Sequence, residues 1–94
     1  MRFRDIITER MADNLPVLRK KAGLTQTDLA DMLGVSKYTI LMIEKKQRKM
    51  TWNTFLSLIL IFSKNEETDK MLSLFDIYTE ELNDLIKNRH EHLT

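Results

Sequence analysis

Four cationic side chains fall within the five residues Lys45-Lys46-Gln47-Arg48-Lys49, and Lys37 and Tyr38 add an ammonium and a phenol a little upstream. A guanidinium offers a planar fork and an ammonium a point charge, and both suit anionic oxygens. Clustered on a short stretch, such side chains suit holding a polyanion. The groupings that would do covalent chemistry are missing. The chain has no Cys, no Ser-His-Asp grouping, no glycine-rich phosphate loop and no carboxylate cluster in an apolar setting. His90-Glu91-His92 looks like a metal tract, but two imidazoles at i, i+2 on a tail read as solvent-exposed. An enzyme is not expected, nor a metal or any other cofactor.

The elements that must carry these cations lie in Thr25–Glu44, TQTDLADMLGVSKYTILMIE. Leu29, Ala30 and Leu33 share one helical face, and Ile40 and Ile43 repeat at i, i+3 in a second segment. Gly34, between them, can take the left-handed conformation that ends a helix. Val35 can plug the gap, and Ser36 suits the N-cap of the next helix. Ala30 is small enough for a close crossing. Two helices, a tight glycine turn and a small residue at the crossing predict a helix-turn-helix. Thr25 caps the first helix, with Asp28 as an acidic residue in its opening turn. The second runs from about Lys37 to Lys45. With Ile40 and Ile43 inward, Lys37, Tyr38, Leu41, Met42 and Lys45 face outward or sideways.

The pattern Thr25-Gln26-x-x-Leu29-Ala30-x-x-Leu33-Gly34-Val35-Ser36-x-x-Thr39-Ile40-x-x-x-Glu44 closely resembles the phage repressor and Cro-like, or XRE, family. The likeness spans roughly residues 15–62. It implies a five-helix repressor-like domain that places the N-terminal part of helix 37–45 in the major groove of double-stranded DNA. It implies base reading by Lys37, Tyr38 and Met42, with Leu41 and Ser36 adjacent. Lys37 can donate to guanine O6 or N7, and Met42 or Leu41 can meet a thymine methyl. Phosphate contact falls to Gln26 at a helix N-terminus, which the resemblance implies also braces the recognition helix, to Thr39, and to Lys45, Lys46, Arg48 and Lys49. The resemblance also implies that Arg19 pairs with Glu44, a structural role in which a partly buried guanidinium needs a carboxylate. Family members usually carry Gly near Lys46 and Pro near Met50, and this chain has neither. A left-handed lysine is strained, so the recognition helix is expected to run on slightly, or the turn to differ.

With 94 residues and 43% apolar content, the chain suits one small all-α domain, helped by oligomerisation. Residues 3–12 predict a basic leader helix, with Phe3, Ile6, Ile7 and Met11 on one face. Asp13 or Asn14 then reads as the N-cap of a helix to about Lys21, with Pro16 in its first turn; a kinked continuous helix is the alternative. Gly23 ends this segment. Thr51 caps a helix from Trp52 to about Ser63. Phe55, Leu58, Ile59 and Phe62 make its core face, but Trp52, Leu56, Leu60 and Ile61 are apolar too, so it is expected to be covered on a second side. Residues 67–89 predict one long amphipathic helix. Its Met71, Phe75, Tyr78, Leu82 and Leu85 form a coiled-coil-like seam.

The division expected is a DNA-binding domain over 1–65 (leader 1–13, motif 25–45) and a C-terminal dimerisation helix over 66–94. Charge follows it: residues 1–65 hold 12 Lys/Arg against 6 Asp/Glu, and residues 66–94 hold 3 against 8. A basic front and an acidic tail suit a polyanion-binding module followed by a non-binding element. Phe75, Tyr78, Leu82, Leu85, Leu56 and Leu60 are the expected dimer contacts. No signal peptide is read at the N-terminus, and the longest apolar run is short of the ~20 residues a bilayer requires. A cytoplasmic homodimeric transcriptional regulator is expected, a repressor of bacterial or phage type. Two alternatives stand beside it: an antitoxin that binds a toxin partner and regulates itself, and an interaction module that has lost DNA binding. No membrane partner is expected.

Overall fold

Ile7, Met11, Leu15 and Leu18 recur at helical spacing, and all four are buried. In the computed structural model they lie on one continuous helix, α1 (Phe3–Lys21). The structure describes residues 2–93, with side chains through Asn88, so the side chains of the His90-Glu91-His92 tract lie outside the described residues. Five further helices follow: α2 (Gln26–Leu33), α3 (Lys37–Glu44), α4 (Trp52–Ser63), α5 (Glu66–Leu74) and α6 (Glu80–Leu93). Among the described residues there is no strand. All six helices gather around one core, whose largest members are Phe55 and Phe62 of α4. α1 packs on α3, α4 and α5, and α2 lies across α3.

The break expected at Asp13 is absent. Pro16 sits inside α1, and Asn14 donates its amide to Arg10 O at 2.8 Å instead of capping a new helix. Proline inside a helix costs about 3 kcal/mol. Burying Ile7 and Met11 contributes about 1.5–3 kcal/mol each, and only an unbroken helix puts them in register with Leu15 and Leu18. Packing therefore overrides the local stop signal.

The single helix expected over 67–89 is two helices. Leu72, Ile77 and Leu82 are all completely buried. Spaced five apart, each would point about 140° away from the next on a straight helix, so no straight helix could deliver all three to one core. The chain turns instead at Asp76, whose φ is 57°. Thr79 then starts α6, its hydroxyl accepting from Leu82 N at 3.2 Å. At the other end Asn65 caps α5 by accepting from Glu67 N and Thr68 N. Thr68 is buried and donates to Phe62 O at 2.6 Å, which ties α5 to α4.

Four helices end in the same way. At Gly23, Gly34, Lys46 and Asp76 the backbone is left-handed. In each case that amide bonds three residues back and the next amide five residues back, the paired closure of a Schellman turn. The helix expected to run on past Lys45 therefore stops at Glu44, and Lys46 adopts the conformation that a glycine would take for less.

Candidate nucleic-acid interface

The first motif helix starts with a reciprocal pair. Thr25 Oγ1 accepts from Asp28 N at 3.0 Å, and Asp28 Oδ2 accepts from Thr25 N at 2.9 Å. This is a capping box with an aspartate in the place of the usual Glu or Gln. Donation from the Thr25 backbone, and then from its hydroxyl, holds the Asp28 carboxyl below its ordinary range. α2 ends at Gly34, φ 72°, where Val35 N reaches Ala30 O at 3.0 Å. A Cβ on Gly34 would meet nothing within 4 Å, so the glycine is required for its backbone angle and not for space. Ser36 Oγ accepts from Thr39 N at 3.1 Å and caps α3.

Glu44 is the polar hub of the site. Its carboxylate accepts from Arg19 Nε at 2.8 Å, Arg19 Nη2 at 3.2 Å and Gln26 Nε2 at 3.0 Å. Arg19 Nη1 also donates to Leu24 O at 3.0 Å. The Arg19 and Glu44 side chains are only 10% and 7% exposed. One carboxylate thus joins α1, the start of α2 and the end of α3, which sets the attitude of α3. Gln26, expected at phosphate, has its amide nitrogen engaged here.

α3 turns Ile40 and Ile43 into the core. Lys37 is exposed, and Tyr38 is the most exposed aromatic side chain described, at 63%. Leu41 and Met42 are half-buried, so the apolar part of the expected reading face is smaller than its sequence suggests. Ser36 is exposed but committed to its cap, and its hydroxyl lies 3.0 Å from Thr39 Oγ1. Thr39 also accepts from Arg48 Nη1 at 3.3 Å. A shallow depression of about 600 Å³ runs between the start of α2 and α3, lined by Lys20, Thr25, Gln26, Thr27 and Lys37 among others. Its donors and the α2 N-terminus favour an anion.

Lys45, Lys46, Gln47, Arg48 and Lys49 are all exposed on the loop after α3, but Lys46 is not free. Its Nζ pairs with Asp13 and lies 3.8 Å from Glu9 Oε1, both on α1. Reading the sequence along its length does not find these acids, because their role depends on a partner more than thirty residues away. The available signal is the lysine standing where a glycine is usual. A second contact of the leader, Arg4 over the Trp52 ring at 4.7 Å, was equally unforeseen.

The expected dimer contacts divide. Leu82 is fully buried in its own chain and is removed from the candidates. Phe75 and Tyr78 are half-buried against the same core, as is Leu56; Leu85 is half-buried. Leu60 stands out at 60% exposure. The coiled-coil-like seam is therefore largely consumed within the chain.

Residues 18–51, from the last turns of α1 to the residue before α4, match a family model described as helix-turn-helix. No curated protein and no solved structure matches the chain.

Proposed function

We propose that this chain, whose residues 18–51 match a helix-turn-helix family model, is a sequence-specific DNA-binding transcriptional regulator of the XRE type, a repressor acting as a homodimer. The observation that carries this reading is α3 itself. It is capped at Ser36, pinned at Glu44 by two other helices, and presents Lys37 and Tyr38 outward from its first turn. A braced helix with exposed donors at its N-terminal end is what major-groove reading demands. Lys37 and Tyr38 would read bases first, with Met42 second and Leu41 at the margin. Lys45, Arg48, Lys49 and the Gln26 backbone N–H at the start of α2 would meet phosphate, so affinity should fall steeply with salt.

Pairing of two copies would set two α3 helices about 34 Å apart, the spacing of successive major grooves. Leu60 with Leu56 on the outer side of α4 supports such a contact. Among the described residues no helix is long and apolar enough to cross a membrane, and no group of side chains is placed to hold a metal ion.

Selection of bound duplexes from a random pool tests the reading. A recovered consensus is expected, and Lys37→Ala or Tyr38→Ala should weaken binding to it by about tenfold each, the ~1–3 kcal/mol of a base contact. Recovery of no preferred sequence would remove the function. A retained consensus with unchanged discrimination in both variants would move the readers elsewhere.

A further inference from the structure

Among the described residues two other than glycine have positive φ, Lys46 at 63° and Asp76 at 57°, and both turns are held by one short stretch of α1. Glu9 and Asp13 bind the Lys46 ammonium. Between them, Arg10 Nη1 donates to Asp76 O at 3.0 Å. The two glycine turns need no such help. Lys46 follows the C-cap residue Lys45 and closes the turn that ends α3, its amide bonding Ile43 O, so its backbone angle sets the end of the recognition helix and the path of Arg48 and Lys49. Arg48 Nη1 reaches back from that loop to Thr39 Oγ1 on α3 at 3.3 Å, which links the loop to the first half of α3.

We propose that Glu9 and Asp13 are positioning residues for DNA binding. They clamp Lys46 in its left-handed turn and thereby hold the recognition helix and loop 45–49 in the binding geometry. Lys46 is then an internal anchor and not a phosphate contact. This rests on the DNA-binding reading above, but it assigns work to two acids that touch no nucleic acid. Simple electrostatics argues the other way. Carboxylates beside a basic loop repel phosphate, so their removal would strengthen binding if they did nothing else. The sign of the effect therefore decides the matter.

Four proteins suffice: the parent, Glu9→Gln/Asp13→Asn, Lys46→Gly, and the combination of all three changes. Each is first checked for native helicity by circular dichroism. Binding to the selected duplex is then measured across a salt series. The acid variant should bind about five- to tenfold more weakly, a loss set by the left-handed penalty of an unclamped lysine, with the salt slope unchanged. Lys46→Gly should bind as the parent does, because glycine closes the turn unaided. In the combined variant the glycine should restore what the acid changes lost.

Three results would overturn the proposal: tighter binding by the acid variant, parental binding by it, or a salt slope reduced by about 0.9 in Lys46→Gly, the mark of a lost phosphate contact. A DNA-free measurement separates this outcome from failure of the functional reading. Gln47 N bonds Met42 O at 2.9 Å across the turn. Its amide should exchange faster in the acid variant and recover in the combination. Unchanged exchange rejects the clamp whether or not the parent binds DNA.

Discussion

The helix-turn-helix and the C-terminal pair α5–α6 are held to the same core by different physics. In the first, a nearly buried carboxylate on Glu44 takes three hydrogen bonds from two other helices. In the second, Leu72, Ile77 and Leu82 are completely buried, and the polar links are single neutral-acceptor bonds, Thr68 to Phe62 O and Arg10 to Asp76 O, with no charged pair in the core. Apolar burial is roughly proportional to area and indifferent to direction, whereas a forked guanidinium–carboxylate pair fixes angle as well as distance. The contrast suits the division of labour. Under the proposed function α3 must sit in a groove and so needs its attitude set, while a pair of helices that completes a core needs only to be covered.

The largest effect tests the apolar side. Leu82→Glu places a carboxylate where no exposure exists, and a cost of about 4 kcal/mol or more is expected. That is much of the stability of a small domain, so urea unfolding should show a protein largely unfolded without denaturant. Leu60→Glu, on an exposed leucine, should change stability by less than about 0.5 kcal/mol while turning dimer to monomer in sedimentation. If Leu82→Glu instead gave a folded monomer, α6 would be an interface after all.

Next comes the polar side. Glu44→Ala strands the Arg19 guanidinium at 10% exposure, and removing one member of such a pair costs about 3 kcal/mol. Leu82→Ala falls in the same range, about 2–5 kcal/mol. The two should separate in function. At a temperature where both remain folded, Glu44→Ala should lose DNA affinity about tenfold or more, a factor equivalent to ~1.4 kcal/mol, and Leu82→Ala should keep it. Equal affinities would mean that α3 is set by its apolar face alone.

The same contrast decides what could be read from sequence. Thr25 to Glu44 was legible because its caps, its glycine and its apolar spacing are local signals that agree with one another. Arg19, Gln26 and Glu44 converge because that frame is regular. The C-terminal stripe misled because Met71, Phe75, Tyr78, Leu82 and Leu85 fit a straight seam, while Leu72 and Ile77 need a bend. Thr79 ahead of Glu80 and Glu81 was the local sign of a new helix. Pro16 misled in the opposite direction, since a real local cost was outweighed by burial along α1. Lys46 was foreseen as strained but placed outside the left-handed region, because its stabilising acids lie on α1. At Pro16 and Lys46 a distant partner decides the local conformation, whereas the bend at Asp76 is followed by a local cap at Thr79.

The smallest expected effect lies at the opening of α2, where a polar arrangement is exposed and not buried. Hydrogen bonds from Thr25 favour the charged form of Asp28 and lower its pKa from 3.8. The sign follows from linkage. A carboxyl whose folded pKa lies below its unfolded value binds protons more readily when unfolded. Its contribution is complete above pH 3.8 and is lost as pH falls through the folded pKa. Asp28→Asn removes this dependence. The urea midpoint of the parent should therefore exceed that of the variant by a constant margin from neutral pH down to about 5, and the two curves should converge below 3.8. The margin should be well below that for Glu44→Ala, because water competes for every group in an exposed box. Curves that stay parallel through the acid range would mean that Asp28 acts by shape and not by charge. The exposed cap would then resemble the apolar half of the molecule more than the polar hub it adjoins.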